Sequence, residues 1–237
     1  MRRTAGRPGR SEPNPAPALG GGPAPTRIVG VSAPSQAHPF DNPVRRWEDI
    51  PGWFGWRAAQ EEAVAHFAAG SRFVEVGSYL GRSLCSLAEV VQTSGRSIAI
   101  VGVDTCQGSG PEGNQQINAH GPAVEYGGGT FAGLLHRNIL GCGYADVVQL
   151  LITDSLSAAE LFGDHSLAWV HIDARHDYDS VKADIAAWAP KVMPGGWLSG
   201  DDYHPQWWPG VVAAVGDSLP DAGEWTPGQW RWVKPAA

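Results

Sequence analysis

Residues 73–83 read FVEVGSYLGRS, and this stretch does most to decide the fold. Its first four residues are mainly β-branched or aromatic, which predicts a buried strand, and a helix is predicted over residues 82–92 directly afterwards. Gly77 and Gly81 lie between the two and let the backbone turn sharply and approach a ligand closely. The N-terminus of the helix adds unpaired N–H groups. The stretch therefore predicts a strand, a ligand-binding turn and a helix, with a purely structural turn as the alternative.

The spacing of the two glycines argues against a dinucleotide site. A dinucleotide-binding turn reads GxGxxG and holds a pyrophosphate on the helix that follows. Here the glycines are four positions apart and the bulky Tyr79 stands between them. The turn therefore indicates a nucleoside ligand other than a dinucleotide.

The same alternation of short apolar runs and amphipathic helices continues along the chain. Strands are predicted at residues 73–76, 98–103, 147–152, 168–172 and 196–199, and helices at residues 57–69, 82–92, 131–140, 156–162, 180–189 and 211–218. Strands that alternate with helices form parallel sheets through right-handed crossovers. The sequence therefore predicts an α/β fold with a Rossmann-like, doubly wound, mostly parallel sheet. Ligands bind such sheets beyond the carboxyl ends of the strands, so polar residues directly after each strand are the functional candidates.

Length and composition indicate one folded domain with an amino-terminal arm. The chain has 237 residues, enough for a single α/β domain with a buried core. Residues 1–38 are dominated by Pro, Gly, Ala, Ser and Arg, which predicts a flexible arm, with a lid or an oligomer contact as the alternative. Residues 39–237 are interpreted as the functional domain. We also expect a homo-oligomer.

Charge and cysteine content exclude several classes of function. The formal net charge is -7, and no segment beyond the first ten residues is dense in Lys or Arg, so no nucleic-acid partner is expected. The sequence contains no run of about 18 apolar residues, so no membrane span is predicted. Cys85, Cys106 and Cys142 are widely spaced and predict neither a disulfide framework nor a zinc site. We therefore expect small-molecule chemistry in the cytoplasm.

Polar residues follow the second and third predicted strands. Asp104 comes directly after residues 98–103, where a carboxylate can accept hydrogen bonds from both hydroxyls of a ribose. Asp154 and Ser155 follow residues 147–152. Either can face an adenine or cap the next helix, and Ser155 is the favoured cap. Together with the glycine turn, these residues indicate a ligand that carries a ribose.

Three acidic residues follow the fourth and fifth predicted strands. Asp173 comes directly after residues 168–172, and Asp201 and Asp202 lie just beyond residues 196–199. If the two strands are neighbours, these carboxylates converge and repel one another unless a cation is present. A hard divalent ion such as Mg²⁺ prefers oxygen ligands of this kind. The sequence therefore predicts a metal site; the alternative is that these acids only start a turn and cap a helix.

His176 lies three residues beyond Asp173 and is predicted to face the same site. A histidine with an ordinary pKa near 6.5 can take a proton from a substrate hydroxyl at neutral pH. We therefore predict that His176 is the catalytic base, with a solvated loop histidine as the alternative.

The pattern ExGxYxGxS at residues 75–83 resembles the first motif of the small metal-dependent O-methyltransferases of the catechol, caffeoyl-coenzyme A and antibiotic-sugar types. The resemblance implies a class I methyltransferase domain over residues 39–237, with S-adenosylmethionine as cofactor. It also implies that Glu75 and the glycine turn hold the methionine part of the cofactor and that Asp104 holds the ribose. The residues expected to bind the cofactor are Glu75, Gly77, Ser78, Tyr79, Gly81, Ser83, Asp104, Thr105, Asp154, Ser155 and Asp173.

The acidic residues resemble the same family. In that family, an acid at a strand end, a basic residue three positions on and an acid pair after the next strand supply the metal ligands and the base. Asp173, His176 and the pair of Asp201 and Asp202 match these positions. A histidine base and two consecutive acids are closer to the macrolide-sugar enzymes than to the catechol enzymes, which carry a lysine and an Asp-Asn pair. The resemblance implies Mg²⁺-dependent methylation of a hydroxyl on a sugar or other natural product, as in antibiotic biosynthesis.

Two alternatives remain open. The acceptor can be a catechol-like small molecule, because vicinal oxygens on any ring can chelate a metal. The segments IDARHDY at residues 172–178 and VMPGG at residues 192–196 also resemble a broader family that includes cephalosporin hydroxylases. A protein of that kind would bind the cofactor without methyl transfer. The resemblance to methyltransferases covers roughly residues 73–215.

Two further segments are candidates for the acceptor site. Residues 105–130 form a long, glycine-dense loop, which we interpret as a substrate lid. Tryptophans are concentrated after the acid pair, and their flat faces suit sugar rings or aromatic polyketides; packing of the last strands or of a subunit interface is the alternative. These tryptophans are Trp207, Trp208, Trp225, Trp230 and Trp232.

Overall fold

The strands and helices form one mixed sheet with helices on both faces. The computed structural model describes residues 38–112 and 116–236, so the predicted arm lies outside the described residues apart from its last residue. The strands are β1 Arg72–Val76, β2 Ala99–Asp104, β3 Val148–Ile152, β4 Leu167–Ile172, β5 Val192–Gly200, β6 Gly223–Thr226 and β7 Gln229–Val233. The helices are α1 Arg57–His66, α2 Arg82–Ser94, α3 Gly121–Tyr126, α4 Ala132–Cys142, α5 Ser155–Ala159, α6 Tyr178–Trp188 and α7 Pro209–Ser218. Within the described ranges, no helix has the length and hydropathy needed to cross a membrane.

The strand order is β3-β2-β1-β4-β5-β7-β6. Strands β1 to β5 run parallel to one another, whereas β7 is antiparallel to both β5 and β6. The five parallel strands are those that the sequence predicts, so the doubly wound fold is confirmed. The winding direction reverses between β1 and β4, and such a switch point is where open α/β sheets bind their ligands.

The sequence does not predict the carboxyl-terminal hairpin, α3 or two short 3-10 helices at Pro39–Asp41 and Trp47–Asp49, and of these the hairpin contributes to the sheet and α3 to the loop of residues 105–130. Strands β6 and β7 are joined around Gly228, whose φ of 81° suits a tight turn, and they extend the sheet beyond β5. Helix α3 lies within the loop of residues 105–130 and has only six residues. Both elements are short, so neither carries enough periodicity to be recognised from an apolar pattern.

The register of the sheet brings four strand ends to one edge. Val76 at the end of β1 is level with Val103 of β2 and with Ile172 of β4. Ile172 is in turn level with Gly200 of β5. The pairing continues past the strands, since the N–H of Asp173 donates to the carbonyl of Val76 at 2.7 Å. The polar residues that follow these strands therefore meet at a single edge.

Alternating residues of each strand build a core on each face of the sheet. Phe73 and Trp169 pack against α1, α2 and α4 on one face. Val74 and Val170 pack against α5, α6 and α7 on the other. Because side chains alternate along a strand, Glu75 points to the same face as Phe73, towards α2.

The guanidinium of Arg231 lies between two tryptophan rings and links the hairpin of β6 and β7 to α1. The guanidinium of Arg231 lies 4.4 Å from the ring centroids of both Trp197 and Trp225. Glu62 of α1 accepts hydrogen bonds from Arg231 at 2.7 Å and from Trp225 Nε1 at 2.8 Å. Trp230 is fully buried against the same strands. These tryptophans therefore pack the far edge of the sheet.

Candidate functional site

A cavity of about 1170 Å³ opens at the carboxyl edge of the sheet. The loops that follow β1 to β5 form its wall. Pockets for one small molecule commonly measure about 300–1,000 Å³, so this cavity is somewhat larger than that range. Glu75 and Gly81 are not among the residues that line it. The predicted site residues that do are Gly77, Ser78, Tyr79, Ser83, Asp104, Thr105, Asp154, Ser155, Asp173, His176, Asp201 and Asp202.

Gly77 brings the glycine turn into backbone contact with the end of β4. Its φ is 91°, in the left-handed region that favours glycine. A Cβ at this position would lie 1.9 Å from the carbonyl oxygen of Asp173. No other residue fits there unless the turn or the strand end moves. The turn is therefore held directly beside the first residue of the acidic cluster.

Asp104 fixes the glycine turn through backbone hydrogen bonds. Its Oδ2 accepts from the N–H groups of Ser78 and Tyr79 at 2.9 and 2.8 Å, and its Oδ1 accepts from Cys106 at 2.7 Å. Burial raises the pKa of Asp104, while these N–H groups act in the opposite direction. The sequence did not reveal this role. The two hydrogen bonds to Oδ2 use both of its lone pairs, whereas Oδ1 keeps one, and the ribose contact stays a prediction.

Glu75 lies behind the turn and does not line the cavity, so its predicted contact with the cofactor stays a prediction. Its Oε1 accepts a hydrogen bond from Ser83 Oγ at 2.6 Å. Its Oε2 and the hydroxyl of Ser78 are buried, and neither makes a hydrogen bond of standard geometry to the described residues. Burial raises the pKa of Glu75 to about 8. Strand alternation turns the side chain of Glu75 towards α2. Ser83, the first-turn residue of α2 that donates to Glu75, lines the cavity.

Helix α5 begins one residue earlier than predicted. Asp154 has an extended backbone, and its side chain caps the helix by accepting from the N–H of Ser157 at 2.9 Å. Ser155 is the first helical residue, and its hydroxyl accepts from Trp188 Nε1 at 2.9 Å. The prediction that Ser155 is the cap is therefore wrong. Both residues line the cavity, and the adenine contact stays a prediction.

Asp173, His176 and Asp202 converge at the acidic end of the cavity. Each offers one ligand atom, and these atoms lie within 4.8 Å of one another. His176 Nε2 is 2.7 Å from Asp202 Oδ2 and 3.8 Å from Asp173 Oδ1. The shorter distance suits an ion pair, yet Nε2 has no hydrogen-bond partner of suitable geometry among the described residues. Three ligand atoms this close to one another can coordinate a single cation.

Asp201 lies outside the group formed by Asp173, His176 and Asp202. Its Oδ1 accepts hydrogen bonds from Gln229 Nε2 at 2.7 Å and from the N–H of Asp202 at 2.8 Å. Burial, reinforced by the charges of Asp173 and Asp202, raises the pKa of Asp201 to about 7. The ligand atoms that lie within 4.8 Å of one another belong to Asp173, His176 and Asp202, and the predicted metal ligands Asp173, Asp201 and Asp202 stay a prediction. Gln229 belongs to β7, a strand that the sequence does not predict, so this partner of Asp201 is not predicted either.

Three carboxylates surround His176. Burial would lower the pKa of His176, but Asp173, Asp202 and Glu112 outweigh that effect and raise it to about 12. The three carboxylates therefore favour the protonated imidazole, and the predicted role of His176 as the base stays a prediction. The imidazole can be neutral only if another positive charge, in place of its proton, balances the charge of the carboxylates.

Glu112 is a residue of the site that the sequence does not reveal. It belongs to the loop between β2 and α3, and its Oε2 lies 3.1 Å from His176 Nδ1. No spacing or periodicity marks it, because contacts far apart in sequence set the path of a long loop. The loop therefore contributes to the site, while its predicted role as a substrate lid stays a prediction.

Aromatic rings form the outer part of the cavity. Trp207 and Trp208 line it, and the ring of Trp208 lies 4.4 Å from that of His176. Trp53, from the segment before α1, also lines it and stacks on Tyr79 with 6.2 Å between ring centroids. The other predicted tryptophans pack on the sheet instead, and these are Trp225, Trp230 and Trp232.

Two comparisons of sequence bear on this site. The model of a family described as "Methyltransferase domain" matches residues 74–203, which is more than half of the chain and runs from β1 to the acid pair. The uncharacterized protein y4gI from Sinorhizobium fredii is 29% identical over 160 residues. That alignment covers 68% of this chain, and the chain spans about 15% of the length of this curated relative.

Solved structures support the fold. The O-methyltransferase NovP superposes with a TM-score of 0.56 at 19% identity, over 76% of this chain and 77% of that one. The calicheamicin methyltransferase CalS11 gives 0.51 at 18% identity, over 75% and 76%. An S-adenosylmethionine-dependent O-methyltransferase from Thermotoga maritima gives 0.51 at 12% identity, over 79% and 68%. At these identities the likeness establishes the class I methyltransferase fold alone.

Proposed function

The chain belongs to the methyltransferase-domain family, and from this premise we propose that it is an S-adenosylmethionine-dependent O-methyltransferase. The proposed acceptor is a hydroxyl group of a sugar or another natural-product small molecule, as in antibiotic biosynthesis. The proposed second cofactor is Mg²⁺ or another divalent cation. The three thiols are free in the described structure, in keeping with a cytoplasmic enzyme.

The contact between the glycine turn and the acidic cluster gives the most direct support. Gly77 approaches the carbonyl of Asp173 so closely that a Cβ would lie 1.9 Å from it. A methyl donor on the turn and an acceptor oxygen at the acids would therefore be neighbours. Such proximity is the main requirement for a group transfer between two bound molecules.

The glycine turn suits the proposed cofactor. The hydroxyl of Ser78 is buried without a complete hydrogen bond among the described residues, and Asp104, Thr105 and Ser83 line the same part of the cavity. The first turn of α2 adds N–H groups without partners in the helix. When bound, S-adenosylmethionine supplies a methyl group on a positively charged sulfur. The buried carboxylate of Asp104 provides a negative potential nearby.

Asp173 and Asp202 are the residues that would hold a divalent cation, since carboxylate oxygens are the ligands such ions prefer. The cation would supply positive charge that lowers the pKa of a hydroxyl group beside it. It would also remove the reason for His176 to keep its proton, because it takes over the neutralisation of the carboxylates. The same donor set allows His176 to be a third ligand, but we assign it as the base.

In the proposed reaction, His176 Nε2 accepts the proton of the acceptor hydroxyl. The acceptor oxygen then forms a bond to the methyl carbon while the carbon–sulfur bond breaks. The products are a methyl ether, S-adenosylhomocysteine and the proton on His176, which is released to solvent before the next turnover. Asp202 and Asp173 orient the imidazole and stabilise its positive charge.

The aromatic rings at the cavity mouth support a ring-shaped acceptor. Trp53 is 71% exposed and Trp207 is 65% exposed, although both line the cavity. Large apolar groups left open at a cavity are typical of binding surfaces. Their flat faces can stack on a sugar or an aromatic ring.

Transfer of labelled methyl from S-adenosylmethionine to panels of nucleotide sugars, glycosides and catechols tests the proposal. We expect a methylated sugar or glycoside, formed only with a divalent cation and abolished by EDTA. Asp173→Asn should lose the product, whereas Asp179→Asn, at an exposed position of α6, should keep it. Product from catechols alone would favour the catechol-like alternative. Tight binding of S-adenosylhomocysteine with no product and no metal requirement would favour a binding protein without methyl transfer.

A further inference from the structure

We propose that Glu112 is a positioning residue that fixes the imidazole of His176 by its Nδ1, so that Nε2 faces Asp173 and Asp202. The proposal deepens the proposed function, because it assigns to the loop between β2 and α3 a part in the arrangement of the base. Sequence motifs do not point to Glu112, and its role follows from its contacts alone.

The geometry at His176 separates the two nitrogens of the ring. Nδ1 lies 3.1 Å from Glu112 Oε2, and Nε2 lies 2.7 Å from Asp202 Oδ2. Which nitrogen of a histidine carries a proton, and which is available for a metal or a substrate, is set by the hydrogen bond that the other nitrogen makes. A carboxylate only accepts hydrogen bonds, so Glu112 keeps a proton on Nδ1. Nε2 is then the nitrogen that faces Asp202 and Asp173.

Glu112 is itself held in place by several groups. Its Oε2 also accepts a hydrogen bond from Ser109 Oγ at 2.8 Å. Its Oε1 accepts from the backbone N–H of His176 at 3.4 Å and lies 3.8 Å from Arg175 Nε. Its backbone exchanges two hydrogen bonds of 3.1 Å with Ile117. The carboxylate is therefore fixed from its own loop and from the loop after β4.

Burial distinguishes this contact from a solvated surface pair. The side chain of Glu112 is 11% exposed and that of His176 is 16% exposed. Exposed ion pairs contribute little and hold no fixed geometry, whereas buried hydrogen-bonded carboxylates orient their partners. The ring of Trp208 packs 4.4 Å from that of His176 and further restricts its rotation. The imidazole is thus bounded by Trp208 and directed by Glu112.

Proton NMR of the full chain, labelled with ¹⁵N-histidine and kept in EDTA, tests the proposal without any acceptor. We expect a downfield imidazole N–H proton that correlates with Nδ1 of His176 and disappears in His176→Gln. The same signal should be lost in Glu112→Ala. It should persist in Glu112→Gln, whose amide oxygen can still accept. It should also persist in the matched control Glu125→Ala, at an exposed position of α3.

The kinetic counterpart uses whichever acceptor the wild-type enzyme methylates. Loss of an outer hydrogen-bond partner of a metal-site histidine typically costs 10–100-fold, so we expect a fall of about that size in kcat for Glu112→Ala. The KM for S-adenosylmethionine should not change, and Glu112→Gln should restore part of kcat.

A wild-type protein without the hydrogen-bonded Nδ1 proton would overturn the proposal, whether or not any variant folds. So would a Glu112→Ala protein that keeps the signal. If the NMR pattern is found but no methyl transfer occurs, the proposed function fails and the positioning role stands. If methyl transfer occurs and Glu112→Ala is indistinguishable from wild type, the positioning role fails alone.

Discussion

The two halves of the cavity are built in opposite ways. In the turn half, formed by the glycine turn after β1 and by Asp104, the chain supplies its own hydrogen bonds, since three backbone N–H groups end on one carboxylate. In the acid half, formed by Asp173, His176 and Asp202, carboxylates gather around one imidazole and raise the pKa of His176 to about 12. Backbone N–H groups therefore hold the carboxylate of the turn half in place, whereas the carboxylates of the acid half are balanced by the positive charge of His176.

The largest expected effect tests whether the two halves depend on one backbone contact. Gly77→Ala should lower the free energy of unfolding by about 3–5 kcal/mol, because the new Cβ meets the carbonyl of Asp173 and the residue is strained at positive φ. Gly95→Ala is the matched control, since Gly95 also has positive φ but has open space around it. It should cost about 1 kcal/mol. Urea unfolding of both variants measures the difference, and equal losses would show that the contact does not matter.

The next effect separates the halves by function. His176→Ala should reduce turnover by about 10²–10⁴-fold, since proton transfer by a positioned side chain contributes that much. Affinity for S-adenosylhomocysteine, measured by calorimetry, should stay at the wild-type level because the turn half is unchanged. His136→Ala, at an exposed position of α4, should keep full activity. Unchanged turnover in His176→Ala would refute the assignment of the base.

A third effect tests which acids form the metal set. Asp202→Asn should weaken binding of Mn²⁺, used as a probe for Mg²⁺, by more than about 100-fold. Asp201→Asn should weaken it by about tenfold, because Asp201 acts through its hydrogen bond to the N–H of Asp202. Calorimetric titration compares the two variants. A larger loss in Asp201→Asn would support Asp201 as a direct ligand, as the sequence predicts.

The smallest effect concerns pH and lies in the turn half. Burial raises the pKa of Glu75 from 4.5 to about 8, so the folded protein keeps a proton that the unfolded chain releases. The associated stability is fully present below about pH 4.5 and is lost as pH rises through 8. Glu75→Gln cannot ionise, so between pH 5 and pH 9 the wild type should lose about 1–3 kcal/mol more of its unfolding free energy than the variant. Urea unfolding across this pH range measures the difference, and Glu125→Gln, at an exposed position of α3, is the control. If the unfolding free energy of wild type and of Glu75→Gln changes with pH in parallel, Glu75 does not hold the proton.

Much of the site could be predicted because parallel strands end at one edge. The positions of Asp104, Asp173 and Asp202 follow from strand ends that the apolar runs already mark. The inward direction of Glu75 follows from the same alternation, since it shares a face with Phe73, so its place behind the turn was accessible from the sequence. The motif resemblance implies that Glu75 also contacts the cofactor, and this contact stays a prediction.

Other features could not be predicted, for identifiable reasons. The cap of α5 depended on a shift of one residue between Asp154 and Ser155, two residue types that cap equally well. The partner of Asp201 is Gln229, on a short strand of a hairpin that no long apolar pattern announces. Glu112 lies eight residues beyond the end of β2 in a loop without periodicity. Tertiary contacts, rather than local preferences, place these residues.

A crystal of the full chain soaked with S-adenosylhomocysteine and Mg²⁺ tests the central claim most directly, because it examines both halves together. The account predicts a nucleoside on the glycine turn beside Asp104, and a cation about 2.0–2.1 Å from carboxylate oxygens of Asp173 and Asp202, on the side that faces the sulfur. A nucleoside bound elsewhere, or a cation that avoids both carboxylates, would contradict it.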